Sequence, residues 1–425
     1  MPRASVVIPC YNAERFVEEA VASAQAQTVD DIEIVCVDDG STDATLDILR
    51  RLAEGDQRVR VISQANQGEG PARDAGLVAA TGDWLYFLDA DDLMLPSLLE
   101  KAIARGEQEN ADVVIFRTTM LDDQTGEQHL CDWSFKRDWT DEDTFSPRQH
   151  PDHVFNSFQN WVHNKLFRGE FVREHDLRMQ HVHRTADLLF TCRALAEAGR
   201  ITLFDTPLYF YRINNAQSAM STSDQYPLDF YRAFVALHAS LEEHGTWELY
   251  HDSFVNWAIE GIAVNLRFAN TYEAYRAIAD ELEAEGFDLL DITSFPRDKS
   301  DMPFYYDLIR PLVEGSPQET LYAIGKSHRD EHGGAETSAS RARMRISELE
   351  DTVRRSDEML NQQADRIAEL ESDLSGLRRD LTRLTTSASF KVGRVATYLP
   401  RQGLELARKA RKRLTTNPQR DRGQK

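Results

Sequence analysis

Trp84-Leu85-Tyr86-Phe87-Leu88-Asp89-Ala90-Asp91-Asp92 is an apolar run that breaks into a cluster of acids. Its apolar part predicts a strand over residues 84–88, buried on both faces. Toward the N-terminus, residues 70–80 have helical spacing and 58–63 read as a strand. Residues 42–53 read as a helix, with Ser41 or Asp43 near its start as a cap. Residues 32–37 form another apolar run. Residues 13–27 place Phe16, Val17, Ala20, Val21 and Ala24 on one helical face, behind a short strand at 5–8. Strand, helix, strand repetition with short connections predicts an α/β fold whose sheet is mainly parallel and covered on both sides. Ligands of such sheets bind at the carboxyl ends of the strands.

A second acidic segment, Val37-Asp38-Asp39-Gly40-Ser41-Thr42-Asp43, ends the second strand. In a parallel sheet the two acidic loops open on one edge. Asp89, Asp91 and Asp92 repel one another unless something positive lies among them. Mg²⁺ or Mn²⁺, hard ions that take oxygen ligands, meets that need and could bridge to phosphate. An Asp-rich turn with one acid capping a helix fits the same residues. Gly68-Glu69-Gly70-Pro71-Ala72-Arg73 comes close to a dinucleotide fingerprint. Arg73 stands where a small residue should allow close packing, and the segment follows the third strand instead of the first. Both features argue against a nicotinamide enzyme.

The 425 residues carry a net charge of −22. Residues 391–425 run against that balance, with 11 Lys or Arg and 2 Asp or Glu. So acidic a body excludes nucleic acid as the expected partner. Cys10, Cys36, Cys131 and Cys192 form no CxxC pair and read as free thiols of a reducing compartment. No apolar run reaches the roughly 18 to 20 residues that span a bilayer. No leader is visible before the first strand, so the cytoplasm is the expected location.

Five segments occur in order: Val6-Val7-Ile8-Pro9-Cys10-Tyr11-Asn12-Ala13-Glu14, the acidic segment at 37–43, Asn66-Gln67-Gly68 with Ala72-Arg73-Asp74-Ala75-Gly76, Ala80-Thr81-Gly82, and Phe87 through Asp92. Together they resemble glycosyltransferase family 2, whose members have the GT-A fold. The resemblance covers roughly residues 4–115. It continues more weakly through Asn164-Lys165-Leu166-Phe167, Asp187-Leu188-Leu189-Phe190 and Tyr209-Phe210-Tyr211-Arg212. It implies an inverting, metal-dependent transfer of a sugar from a UDP-sugar to a hydroxyl of a surface-glycan or lipid-linked acceptor. It also implies roles. Pro9 and Tyr11 would shape the base pocket, with Tyr11 on the uracil. Asp39 would accept from the uracil N–H, and Asn66 and Arg73 would complete the cradle. Asp89 would contact the ribose or the sugar, Asp91 would hold Mn²⁺ or Mg²⁺, and Asp187 would be the general base. The family usually shows Glu-Asp where this chain has Ala186-Asp187. That departure keeps a second reading open, a catalytically degenerate scaffold that binds nucleotide-sugar and assembles through its C-terminal region. Asp187 also fits a plain helix cap, and His181-Val182-His183 fits acceptor contact or surface better than a metal pair.

These expectations divide the chain into a GT-A domain at 1–225, a helical accessory region at 226–326, a polar linker at 327–343, a coiled coil at 344–386 and a basic amphipathic tail at 387–425. The coiled coil rests on Ile346, Val353, Leu360, Ile367, Leu374 and Leu381, spaced by seven, with Leu349, Leu370, Leu377 and Leu384 as companions. It predicts a homo-oligomer. Interleaved apolar and basic residues in the tail fit an anionic membrane surface, hence peripheral attachment at the inner face of the plasma membrane, and they equally fit a solvated basic end.

Overall fold

The computed structural model of the chain describes residues 1–214 and 224–327, together with Gly376. The expected alternation is present: β1 (Ala4–Cys10), α1 (Val17–Gln25), β2 (Ile32–Asp38), α2 (Thr45–Gly55), β3 (Val59–Ser63), α3 (Glu69–Ala79) and β4 (Trp84–Phe87). These strands pair in parallel in the order β3-β2-β1-β4. Every residue of β2 is buried, as a central strand covered by helices on both sides requires.

Then come β5 (Leu93–Met94), α4 (Leu98–Glu109), β6 (Val113–Asp122), β7 (Gln128–Leu130), β8 (Thr144–Phe145), β9 (Lys165–Arg168), α5 (Gly169–Glu174), α6 (Ala186–Glu197) and β10 (Ile201–Ile213). The main path of the sheet is β3-β2-β1-β4-β9-β6-β10-β5. β9 runs antiparallel to both β4 and β6, so the sheet is parallel in its N-terminal half and mixed beyond it. Strand β9 returns from the long excursion at 131–164, and its reversed direction brings the end of that excursion to the carboxyl edge of β4.

Side-chain alternation sorts the core. Val6, Ile8, Ile34 and Tyr86 face the cluster under α1, α2 and α4. Val7, Leu85 and Phe87 face the larger cluster with Phe167 and Phe190. That second cluster also takes in residues of α7 (Asp229–Glu243), α8 (Trp247–Phe268) and α9 (Tyr272–Glu281), and extends to Ile324. The helices beyond residue 226 are therefore built onto the sheet, and Met1–Asp330 forms one compact unit. All four cysteines are buried and unpaired. No described helix is long and apolar enough to cross a membrane. The linker, coiled coil and basic tail lie outside the described residues, save for Ser327 and Gly376.

Candidate active site

The carboxyl ends of β1, β2 and β4 deliver three loops to one edge, as a parallel sheet must. After β1, Asn12 takes a left-handed φ of 47°, a conformation Asn tolerates in turns. Its Oδ1 accepts from Thr42 N (2.8 Å), and its own N–H donates to Ser41 Oγ (3.0 Å), so the first two loops are stitched together. Pro9 sits in β1 opposite Val37, and Tyr11 beyond it is 51% exposed. After β2, Asp39 is buried and accepts from Gln64 Nε2 (2.8 Å), Gln67 N (3.0 Å) and Gly68 N (2.8 Å). Its carboxylate thus holds the loop that opens α3. Gly40, at φ +73°, makes this possible: a Cβ there would lie 2.8 Å from Asn66 N. Asn66 is exposed on the same loop.

Helix α3 joins this loop to the acids after β4. Arg73, in its second turn, is buried, and its Nη2 lies 2.5 Å from both Glu69 Oε1 and Asp89 Oδ1. Asp89 Oδ2 lies 3.3 Å from His163 Nδ1. Burial alone would raise the Asp89 carboxyl, but Arg73 and His163 hold it well below the usual carboxylate range. Glu69 goes the other way. Burial, opposed by Arg73 and reinforced by Asp89, Asp187 and Asp91, pushes it up to about 7. Asp92 is turned inward, where it accepts from Tyr209 OH (2.5 Å) and Arg212 N (2.6 Å). Burial and the charges of Asp91 and Asp89 push its carboxyl upward. Asp91 stays partly exposed at the tip of the turn, its carbonyl accepting from Arg212 Nε at 2.7 Å.

Asp187 lies in the first turn of α6, one residue inside the helix, and Thr185 occupies the cap position. Its Oδ2 accepts from Val162 N at 3.1 Å, so it is bound to the loop before β9 instead of closing its own helix end. That loop is organised by Lys165, which is fully buried and donates to Gln159 O (2.5 Å), Trp161 O (2.9 Å) and Asn164 Oδ1 (2.7 Å). Burial draws the Lys165 ammonium down to about 7, against the pull of Cys192 and Asp187. Lys165→Met takes the donor from the buried Asn164 Oδ1 and from the half-buried carbonyls of Gln159 and Trp161. It is expected to cost at least about 2 kcal/mol of stability, seen as a lower urea midpoint, with activity falling as the loop loosens.

The structure therefore brings Arg73, Asp89 and Asp187 into one electrostatic neighbourhood, with Asp39 at the start of the same helix. Close packing brings α3 against the entry to α6: a Cβ on Gly70 would run into Gln180 O and sit 3.2 Å from Ala186 Cβ. A buried Ala186 fills the space left there. The two histidines of the 181–183 segment part company. His181 Nε2 lies 3.3 Å from Asp74, while His183 stacks on Tyr226 with ring centres 3.9 Å apart. Four contributors had no role assigned from the sequence: Glu69, His163, Lys165 and Asp229. Buried Asp229, at the start of α7, accepts from His183 N (2.9 Å) and Arg184 N (3.1 Å) and so shapes the approach to Asp187. The signal for His163 and Lys165 lay in Trp161-Val162-His163-Asn164-Lys165, whose polar residues interrupt an apolar context.

The donor set also fits a divalent ion. Ligand atoms of Asp89, Asp92 and His163 lie within 4.8 Å of one another, two carboxylates and an imidazole that could share a divalent ion. Asp91 is not part of that group and stands at its exposed side.

The comparisons with known proteins agree with this architecture. The family model described as glycosyl transferase family 2 matches residues 5–174. EpsH of Bacillus subtilis, whose name places it among glycosyltransferases, is 31% identical over 271 residues, covering 60% of this chain and 74% of that protein. The poly(ribitol-phosphate) beta-N-acetylglucosaminyltransferase TarS of Staphylococcus aureus is 27% identical over 252 residues, 57% of this chain and 42% of TarS. The crystal structure of TarS residues 1–349 with UDP-GlcNAc superposes with a TM-score of 0.57 at 20% identity, over 77% of this chain and 92% of that one, a likeness of fold. The chain belongs to glycosyl transferase family 2 and is a glycosyltransferase with a GT-A type fold.

Proposed function

We propose that the protein transfers a sugar from a UDP-sugar to an acceptor hydroxyl with inversion at the anomeric carbon, and that it requires a divalent metal. One observation carries this reading: Asp39, Arg73, Asp89 and Asp187 converge around the first turns of α3 at the carboxyl edge of the sheet. Tyr11, exposed beside Pro9, offers its ring to the base. Two of the donors to Asp39 are backbone N–H groups; the third, the Gln64 amide, is the one a uracil imide N–H can replace. Asn66 lines the same rim. Arg73 supplies the cation beside the diphosphate while fixing Asp89 toward the ribose or sugar.

Asp91, with the Asp89, Asp92 and His163 group, would hold Mn²⁺ or Mg²⁺, which offsets charge on the departing UDP. Asp187 takes the proton of the attacking hydroxyl, and Val162 N–H keeps the carboxylate aimed. The acceptor is a surface glycan or a lipid-linked glycan. The expected result is UDP release from at least one UDP-sugar in the presence of Mn²⁺ or Mg²⁺, abolished by chelation and by Asp91→Ala. If no UDP-sugar binds in calorimetry with either ion, the donor assignment is lost. UDP release that persists after chelation removes the metal from it.

A further inference from the structure

From His163 a ladder of aromatic rings runs outward to Trp161 and Trp133, which the donor and base assignments do not use. His163, whose Nδ1 is 3.3 Å from Asp89 Oδ2, has its ring centre 5.0 Å from Trp161. Trp161 stacks on Tyr211 at 5.5 Å and meets Trp133 edge-on at 5.3 Å. Trp133 ends the ladder at the surface, 51% exposed. An exposed indole set against a polar site offers a flat apolar face to a ligand. Its inner neighbour Trp161 is joined to the chemistry by backbone. Trp161 precedes Val162, whose N–H holds Asp187, and the Trp161 carbonyl is tied by Lys165.

We propose that Trp133 and the adjoining edge of Trp161 form the acceptor subsite and stack on the ring face of a pyranose in a neutral glycan. This rests on the assignment of Asp187 as the base, which puts the attacking hydroxyl on this side. The face of a pyranose presents C–H groups that pack on an indole, with hydroxyls left at the rim for water and polar side chains. The surroundings select against an anionic acceptor. Asp132, next to Trp133, is 79% exposed, and the nearby Arg117 is already shared between Asp132 and Asp205. Phosphates of a polyol-phosphate polymer would meet acids there, and an open-chain polyol offers no ring face to stack.

The test is calorimetry on the full chain with cellotetraose, chitotetraose, maltotetraose and a ribitol-phosphate oligomer, with UDP binding measured alongside. At least one neutral tetrasaccharide is expected to bind. Trp133→Ala is expected to weaken it about tenfold and Trp133→Phe only about threefold, with UDP affinity unchanged in both. The proposal is overturned if none of the neutral sugars binds, if Trp133→Ala binds them as well as the parent, or if only the ribitol-phosphate oligomer binds. Failure of UDP to bind the parent chain would instead strike the donor assignment and leave the oligosaccharide result standing.

Discussion

Asp187→Asn is expected to lower kcat by about 10² to 10⁴-fold while leaving donor affinity within about threefold. The amide is the same size, and its oxygen still accepts from Val162 N–H, so the loop before β9 keeps its seat. What is lost is the ability to take a proton as the acceptor oxygen attacks. The measurement is steady-state transfer, with donor binding followed separately by calorimetry. NMR of the product on first appearance reports the anomeric configuration. A variant that keeps near-parental kcat removes Asp187 from proton transfer. A product that retains the donor's configuration removes the single-displacement chemistry.

Arg73→Met is expected to show the largest loss of stability, about 3–5 kcal/mol near neutral pH, together with loss of nucleotide binding. The guanidinium is almost fully buried and is the shared partner of Glu69 and Asp89. Methionine fills the volume but leaves buried Asp89 beside the like charges of Glu69 and Asp92, with His163 as its remaining partner. The sign of the pH effect follows from the lowered Asp89 value. In the parent chain the Asp89 contribution is fully present above the ordinary carboxylate pKa of about 3.9 and is lost as pH falls through the lower folded value. In the variant, burial acts unopposed by Arg73 and favours the protonated acid, so the penalty grows as pH rises past about 4. The stability gap between the two proteins should be widest near neutrality and shrink in acid. Urea unfolding at a series of pH values checks this. A gap that does not change with pH would mean that Asp89 does not depend on Arg73 for its charge.

The order of the first seven elements could be read from the sequence, because each strand there is a short, mainly apolar run bounded by turn residues. Asp39, Asp89 and Asp91 were legible for a related reason, whereas Asp187, in the first turn of α6, was marked only by the family resemblance. Acids placed directly after buried strands have only the sheet edge to occupy. The mixed pairing around β9 was not legible, since the short run Lys165–Arg168 carries no mark of direction. Nor was the turning inward of Asp92, which neighbours Asp91 in the chain yet bonds to Tyr209 and Arg212 of β10.

Local order along the chain was enough to establish the alternating α/β plan and the acids at its strand ends, because hydrophobic period and turn chemistry act over a few residues. Which acids share a proton, a cation or a partner was decided only by the packed molecule. Arg73 meets Asp89, His163 reaches the same carboxylate, and Val162 N–H finds Asp187 through contacts between segments 16 to 74 positions apart. Such pairings depend on how one helix seats against another, here through Gly70 and Ala186, and that fit is a property of the assembled core.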